Sequence, residues 1–327
     1  MPISHHTPRV IAALLAGSLA ITALASAAQD GTGGSTPEPT FDCQIVAASW
    51  VSAVSSPMAS PIASPIASMA ATPVASPVAS PIVENPVDPL EADLSVAASS
   101  ILDCMSENDV DALTKLTGGN FRGTWLGFGG ALSDADFAAL LPMLPHLPYN
   151  LIAVTNASVE GETATATVTY TVGRQVLTGT WTFDLTDIDG TPTWVVQNEV
   201  LQVGTAPAGA VSVDLTITDG VFTFSAPSVQ GSTIVINVSN TGSMPHEALI
   251  LRVPADVTAA DIAAAPTGIP EGVTFIAQAT VPAGSKGTMI LTDLRPGTYT
   301  VVDLLPDANG MPNVSSGMIT TFEVTAP

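Results

Sequence analysis

Basic residues are scarce in this sequence. It contains 7 lysines and arginines against 29 aspartates and glutamates, which gives a net charge of −22 at pH 7. Nucleic acids and anionic lipid surfaces are bound through clustered Lys and Arg side chains, so this balance argues against both as partners. The carboxylates are scattered along the chain, which favours a role in solubility over a single acidic site.

Familiar catalytic motifs are also missing. The chain has no G-x-S-x-G elbow, no P-loop, no HExxH and no paired Cys-x-x-Cys. We therefore expect a protein that is not an enzyme, although the sequence leaves this point open.

Long apolar runs are absent beyond the first thirty residues. There, Arg9 precedes an apolar run over residues 10–25, and Ala25-Ser26-Ala27 is typical of a signal-peptide cleavage site. The run is shorter than the roughly 20 residues that a spanning helix needs, and no later segment is long enough. We predict a signal peptide over residues 1–27, no membrane span, and export to the extracellular space or the periplasm.

Only two cysteines are present, Cys43 and Cys104. In an oxidising compartment a disulfide between them is favoured over two free thiols. In the segment 28–54, which carries Cys43, the side chains near helical spacing predict a short amphipathic helix. These side chains are Phe41, Ile45, Val46 and Trp50.

A proline-rich segment, residues 55–89, lies between the cysteines. Prolines recur at every fourth position from Pro57 to Pro81, with Met69 in the one skipped place. This spacing forbids a helix and favours extended chain, so the segment cannot build a core. We predict a low-complexity loop that the disulfide closes.

Residues 90–204 change from helical to strand patterns. "PLEADLSVAASSILDCMSENDVDALTKLTGG" predicts two helices that break near Asn108 and end at Gly118-Gly119, and Ser133 is the expected N-cap of a third. Four segments with alternating apolar and polar residues follow. Helices followed by a meander predict an α+β domain with the helices over one sheet face. The four predicted strands cover residues 151–156, 163–172, 175–185 and 193–202.

This region resembles the nuclear-transport-factor-two-like family in its element order, in "CMSENDVDALTKL" and in the closing strand "WVVQNEVLQ". The resemblance implies a cone-shaped α+β domain whose curved sheet surrounds a cavity. Some members are ketosteroid isomerases with a carboxylate base, and many only bind ligands or assemble. Residues that could reach such a cavity also fit ordinary core or strand-surface roles. They are Trp125, Tyr170, Trp181, Gln197 and Glu199.

After a linker over residues 205–210, residues 211–327 contain seven or eight short strands separated by Gly, Pro and Asn turns. This pattern is typical of an antiparallel sandwich. The one predicted helix is "VTAADIAAA", with Thr258 as its N-cap and Asp261 three residues later.

"NTGSMPHEALIL" and "LRPGTYTVVDLLPDANGMPNVSSGMITTFEV" resemble the cupredoxin family of Greek-key, all-β sandwiches. The resemblance implies that His246 is the first ligand histidine and Met318 the axial methionine of a blue-copper site. Asp303 stands where the ligand cysteine is expected, and Asn313 where the second histidine is expected.

A blue-copper centre requires the thiolate, because soft sulfur stabilises Cu(I). The remaining side chains, His246, Asp303, Asn313 and Met318, could form a weak nitrogen/oxygen site for Cu(II) or Zn(II). Met244 and Met311 beside the same loops permit a thioether-rich Cu(I) variant. We favour a hydrogen-bonded His246 that fixes its loop and a Met318 that fills the core.

We therefore predict a multidomain protein with an α+β cone domain followed by a cupredoxin-like sandwich. The preferred function is a secreted, non-enzymatic binding or surface-assembly protein that needs no cofactor and acts on an unidentified ligand or protein partner. Two alternatives stay open: a copper-binding protein with a remodelled His/Asp/Met site, and an enzyme of the cone family with an unrecognised pocket.

Overall fold

A computed structural model of the chain describes residues 43–49, 88–265, 269–307 and 309–326. The predicted signal peptide and nearly all of the proline-rich loop lie outside these residues, as do Phe41 and Trp50. Within them, none of the helices is long and apolar enough to cross a membrane.

The regular elements fall into a helical segment and a much longer β-rich segment. The helices are α1 (Pro89–Glu107), α2 (Val110–Leu116), α3 (Gly119–Trp125), α4 (Asp134–Leu140) and α5 (Ala259–Ala264), with 3-10 turns at Leu141–Met143 and Asn313–Ser316. The strands are β1 (Tyr149–Glu160), β2 (Thr163–Val172), β3 (Gln175–Ile188), β4 (Thr191–Gln202), β5 (Val211–Thr218), β6 (Val221–Phe224), β7 (Ser228–Gln230), β8 (Ile234–Asn240), β9 (His246–Arg252), β10 (Thr274–Val281), β11 (Lys286–Leu291), β12 (Gly297–Val302) and β13 (Ile319–Thr325).

Side-chain caps fix the starts of several helices. The Asp88 carboxylate accepts from the Leu90 N–H at the start of α1. The predicted caps are confirmed: Ser133 accepts from Asp136 at α4, and Thr258 forms a capping box with Asp261 at α5. Each cap satisfies backbone donors that a helix start otherwise leaves unpaired.

The segment 43–49 differs from the prediction, because it contains no helix. It is a strap that runs along α1, from Cys104 back to Asp93, and reaches β4. The Ala48 N–H donates to the Pro192 carbonyl at 2.8 Å, and Ser49 donates to Asp93 of α1 through its backbone N–H at 2.7 Å. The predicted disulfide is present, with the Cα atoms of Cys43 and Cys104 4.6 Å apart.

One sheet runs through both the helical and the sandwich halves of the described chain. Its order is β1-β2-β3-β11-β8-β5-β6, and β4 pairs with the remaining length of β3. The join is made where Gln175 and Val176 of β3 pair with Leu291 and Ile290 of β11. The two predicted domains therefore share a hydrogen-bonded ladder.

The helices cover one face of strands β1 to β4, and the middle of the opposite face carries uncharged side chains, mostly threonine. We call this middle part the threonine face; the next row beyond it, Glu160–Thr163–Asp184, carries two carboxylates. Its side chains are exposed or half-buried. Three cross-strand rows form it: Ala153–Thr169–Thr178–Gln202, Thr155–Thr167–Thr180–Val200 and Ser158–Thr165–Thr182–Asn198.

The second sheet, ordered β10-β9-β12-β13-β7, packs over the β11-β8-β5-β6 part of the first. Side chains such as Ile236, Ile250 and Tyr299 fill the space between the two layers. Strand β9 is buried on both faces, because Leu249 and Leu251 belong to the core cluster that also contains the helices. This packing places the start of β9, and with it His246, in the interior.

Candidate functional site

His246 is the first residue of β9 and is 1% exposed. The preceding loop is held by Asn240, whose side-chain amide donates to the carbonyls of Met244 and Val281 at 2.8 Å each. The Asn240 side-chain oxygen in turn accepts from the Gly242 N–H at 2.9 Å. A β-carbon at Gly242 would collide with a carboxylate oxygen of Asp219, so glycine is required for the loop to approach that residue.

Both ring nitrogens of His246 face carboxylates. Nδ1 lies 2.7 Å from Asp303 Oδ2, and Nε2 lies 3.1 Å from Asp219 Oδ1. The two partners differ in environment, because the Asp303 side chain is 0% exposed and that of Asp219 is 48% exposed. The imidazole therefore bridges an enclosed carboxylate and a surface carboxylate.

Asp303 also organises the loop that follows β12. Its side chain accepts from Asn313 Nδ2 at 3.0 Å and from the Leu305 N–H at 2.8 Å. Its backbone carbonyl accepts from the Val314 N–H at 2.7 Å, and its N–H donates to the Met318 carbonyl at 3.2 Å. One aspartate thus ties both ends of the loop to His246.

The pKa values of the two aspartates shift in opposite directions, because hydrogen bonds dominate at Asp219 and burial dominates at Asp303. Donors from the Ser243 hydroxyl and backbone, together with His246, hold the pKa of Asp219 far below its ordinary value. Burial raises the pKa of Asp303, although the donors from His246 and Leu305 oppose that shift. Because Asp219 stays ionised, Nε2 of His246 carries a proton and donates to it.

Glu247, the next residue along β9, is a second buried acid beside this cluster. Its carboxyl accepts from Gln278 Nε2 and, at 3.3 Å, from the Leu304 N–H. Burial and the nearby charge of Asp303 raise the pKa of Glu247 to about 8. At neutral pH this side chain is therefore mainly protonated.

Three of the four predicted site residues come together: His246, Asp303 and Asn313. Met318 joins them only through its backbone, since its side chain belongs to the sandwich core. The sequence interpretation did not select Asp219 or Glu247. Glu247 adjoins His246 in the quoted motif, but Asp219 lies 27 residues away in sequence, in the turn between β5 and β6.

The donor set does not fit a transition metal in this arrangement. A metal bonded to nitrogen and oxygen at about 2.0–2.2 Å holds the two ligand atoms roughly 3 Å or more apart. His246 Nδ1 and Asp303 Oδ2 are closer, at 2.7 Å, which is a direct hydrogen bond. Across the described ranges, no group of three or more His, Cys, Asp or Glu residues is arranged to hold a metal ion.

A second polar cluster lies under the helices, in the cone-like half. Glu199 is 3% exposed, and its Oε1 accepts from the Tyr170 hydroxyl at 2.8 Å and from Trp181 Nε1 at 3.1 Å. Gly179 leaves room for this carboxylate, since a β-carbon there would lie 2.8 Å from Glu199 Oε1. Three of the five predicted cavity residues thus contact one another.

The other two predicted cavity residues do not join Glu199. Trp125 Nε1 donates to the Tyr149 hydroxyl at 2.9 Å, within the aromatic core. The Gln197 side chain packs against Gly118, at the turn between α2 and α3. Their positions are those of ordinary core and packing residues.

Comparisons with known proteins give no family assignment. No family model matches the chain, and no curated protein sequence is similar to it. Among solved structures, auracyanin from Roseiflexus castenholzii is 22% identical, with a TM-score of 0.27 over 36% of this chain and 99% of its own. A putative ketosteroid isomerase from Kribbella flavida is 16% identical, with a TM-score of 0.23 over 36% of this chain and 82% of its own. These similarities carry no functional argument.

Proposed function

We propose that the protein is a secreted, non-enzymatic binding or assembly protein in which a His–carboxylate cluster takes the place of a metal centre. The observation that carries this proposal is that both nitrogens of His246 lie at hydrogen-bond distance from carboxylates, 2.7 Å and 3.1 Å. Both ring nitrogens are thereby engaged by protein carboxylates, so neither is free to bind a metal. The Cys43–Cys104 disulfide supports an oxidising location outside the cytosol.

The threonine face supports assembly, with a second copy of this chain as its partner. Two copies of a chain with a net charge of −22 repel each other over most of their surface. The three rows of the threonine face carry no charged side chain. They offer hydroxyl and methyl groups across four strands, so like-charge repulsion is weakest where these faces meet.

Copper titration of the mature chain tests the metal-free assignment. We expect no stoichiometric Cu(II) complex by EPR or by calorimetry, and no difference between the wild type and His246→Gln. One equivalent of copper bound by the wild type and lost in His246→Gln would instead favour the copper-handling alternative.

Sedimentation velocity tests self-assembly through the threonine face. Thr167→Glu together with Thr180→Glu places two charges directly opposite each other at its centre. We expect the wild type to associate and this variant to remain monomeric. Thr223→Glu, on an exposed position of β6, is the matched control and should associate like the wild type. A monomeric wild type would exclude this mode of assembly.

A further inference from the structure

The rows at the two ends of the threonine face differ in charge. The row at one end carries two carboxylates and consists of Glu160–Thr163–Asp184. The row at the other end is uncharged and consists of Asn150–Thr171–Val176. With the three rows of the threonine face, this last row makes an uncharged area whose midpoint on β2 lies at Val168.

The turns at the two ends of β2 differ in the same way. The β1–β2 turn carries Glu162, which is exposed, and the β2–β3 turn carries Arg174, which is half-buried. Neither side chain forms an ion pair with another residue that the structure describes. Strand β2 therefore runs from an acidic turn to a basic turn, and neither charge is neutralised within the described chain.

Symmetry leaves two ways to pack one threonine face on another. Two copies that use the same surface are related by a two-fold axis. In the aligned packing of two sheets, the strands of the two copies run within about 30° of each other. The axis then lies either along the strands or across them. An axis along the strands places the two acidic rows over each other, whereas an axis across them places each acidic row over the uncharged row of the other copy.

Electrostatics separates these two arrangements. Like charges that face each other oppose the first arrangement, and the second avoids that repulsion. In the second arrangement, β2 of each copy lies antiparallel over β2 of the other. Glu162 and Arg174 are each six residues from Val168 along the chain, a distance of about 20 Å in a strand. The acidic turn of each copy therefore meets the basic turn of the other.

We propose that two copies of the chain associate through their threonine faces with the β2 strands antiparallel, so that Glu162 of each copy pairs with Arg174 of the other. The pair forms twice, because the two-fold axis repeats it. Exposed pairs of this kind contribute more to the choice of arrangement than to affinity. This inference rests on the proposed self-assembly and adds the orientation of the two copies.

Exchanging the two charges tests the pairing. Sedimentation equilibrium measures the dissociation constant of the wild type, Glu162→Arg, Arg174→Glu and the double variant. Each single substitution brings like charges together at both ends of the dimer, so association should weaken about tenfold. The double variant has the wild-type net charge and reverses both pairs. Its dissociation constant should return to within about threefold of the wild-type value.

Glu162→Arg also separates a specific pair from general repulsion. This substitution lowers the net negative charge of the chain, so general repulsion alone would make association stronger. We expect weaker association instead. The loss should shrink in ~1 M salt, because exposed charges are screened there.

Cross-linking reads the orientation directly. With the axis at Val168, Thr165 of one copy lies opposite Thr171 of the other. A mixture of Thr165→Cys and Thr171→Cys chains should therefore be joined by a short bis-maleimide, and each variant alone should be joined much less. Cys43 and Cys104 do not react, because they are bonded to each other.

The outcomes distinguish this inference from the self-assembly on which it rests. A monomeric wild type would remove both. If the wild type associates and Thr167→Glu/Thr180→Glu is monomeric, self-assembly stands. In that case, a Glu162→Arg variant that associates as well as the wild type, or Thr165→Cys chains that cross-link mainly to themselves, would overturn the antiparallel orientation. If Arg174→Glu does not fold, as judged by circular dichroism, Glu162→Arg and the cross-links carry the test.

Discussion

At the scale of single residues, the strongest interactions converge on the His246 imidazole. When it is protonated, it donates to Asp303 and to Asp219, and so joins the β5–β6 turn, β9 and the loop after β12. A buried charge is tolerated only when its partners are in place. The cluster therefore has a structural role that depends on every member.

Removing one member should expose this dependence. His246→Gln leaves Asp303 buried without its main partner, and we expect the free energy of unfolding to fall by about 3 kcal/mol. Urea denaturation followed by circular dichroism measures the change. The double variant His246→Gln/Asp303→Asn should lose less than the sum of the two single variants. Additive losses would show that the two side chains act independently.

Glu247 should make stability depend on pH. The pKa of its carboxyl is raised from 4.5 to about 8, so the folded state binds this proton more tightly than the unfolded state. The resulting stability is complete below about pH 4.5 and is lost as the pH rises to 8, with a slope of at most about 1.4 kcal/mol per pH unit. The Asp303 carboxylate faces the same region, and its charge adds to the raised pKa of Glu247.

Glu247→Gln mimics the protonated acid and should flatten this part of the profile, so that the variant is more stable than the wild type at pH 9. Thermal melts between pH 5 and pH 9 provide the measurement. Glu160→Gln, at an exposed strand end, is the control and should follow the wild type. Parallel profiles for Glu247→Gln and the wild type would contradict the assigned pKa.

Sequence reasoning could find His246, Asp303 and Asn313, because each stands at a ligand position of the cupredoxin family that this part of the sequence resembles. Asp219 could not be found in this way. Its role depends on Gly242 admitting a distant turn, and this contact exists only once β5 and β8 pair in parallel. Glu247 was passed over because nothing in an alternating strand pattern marks a strand that is buried on both faces.

At the scale of elements, the 43–49 strap shows how tertiary contacts override local periodicity. The apolar spacing around Cys43 fits a helix, but the backbone donates instead to β4 and to Asp93. The Ser100 hydroxyl of α1 donates to the Gln44 carbonyl. The partners of these hydrogen bonds lie outside the segment. A pattern within the segment alone therefore cannot predict its conformation.

The disulfide should contribute a large part of the stability of this region. In the chain-entropy model, closing a loop with a sequence separation of 61 stabilises the fold by about 4 kcal/mol. We expect Cys43→Ala/Cys104→Ala to lose a similar amount in urea denaturation. Mass spectrometry with and without reductant verifies the bond in the wild type. An unchanged unfolding free energy would mean that Asp93 and its partners hold the strap alone.

The helices were predicted where the chain carries explicit end signals and missed where it does not. Ser133 and Thr258 begin their helices as expected. Helix α3 was not predicted, because Gly118-Gly119 is typical of a helix end. It forms because Gly119 and Gly123 allow the 130–132 loop to pack closely against it. That contact is tertiary and leaves no local pattern.

At the scale of the whole molecule, the two halves contact each other more closely than the predicted linker over residues 205–210 implies. Besides the β3–β11 pairing, the Arg174 N–H donates to the Ile276 carbonyl at 2.8 Å. Gly173, in the β2–β3 turn, has a φ of +61°, and a β-carbon there would lie 2.7 Å from the Phe275 ring. The sequence predicted the order of helices, meander and sandwich strands. It could not predict the junction, because strands distant in sequence form it.

We expect the described halves to unfold in one transition. All four tryptophans lie between residues 50 and 194, so their fluorescence reports on the first half, whereas circular dichroism reports on both. The two signals should give the same midpoint in urea. Separate midpoints would show that the halves are energetically independent.

Gly173→Ala tests the junction itself. It should lower both midpoints together and cost about 1–3 kcal/mol, from backbone strain plus the clash with Phe275. Gly161→Ala is a close control, because its φ is +64° and its β-carbon would meet nothing within 4 Å. If both variants lose the same unfolding free energy, backbone strain alone explains the loss, and the contact with Phe275 does not contribute.

The Cys43–Cys104 bond has a further consequence for proteolysis of the chain. Any single backbone cut between residues 44 and 103 leaves two fragments that remain covalently joined through this bond. The strap would also keep its hydrogen bonds to α1 and β4. Chains cut in the proline-rich loop should therefore migrate as one species on a non-reducing gel and separate into two fragments only when reduced. Because the strap contacts persist, we expect these chains to stay folded.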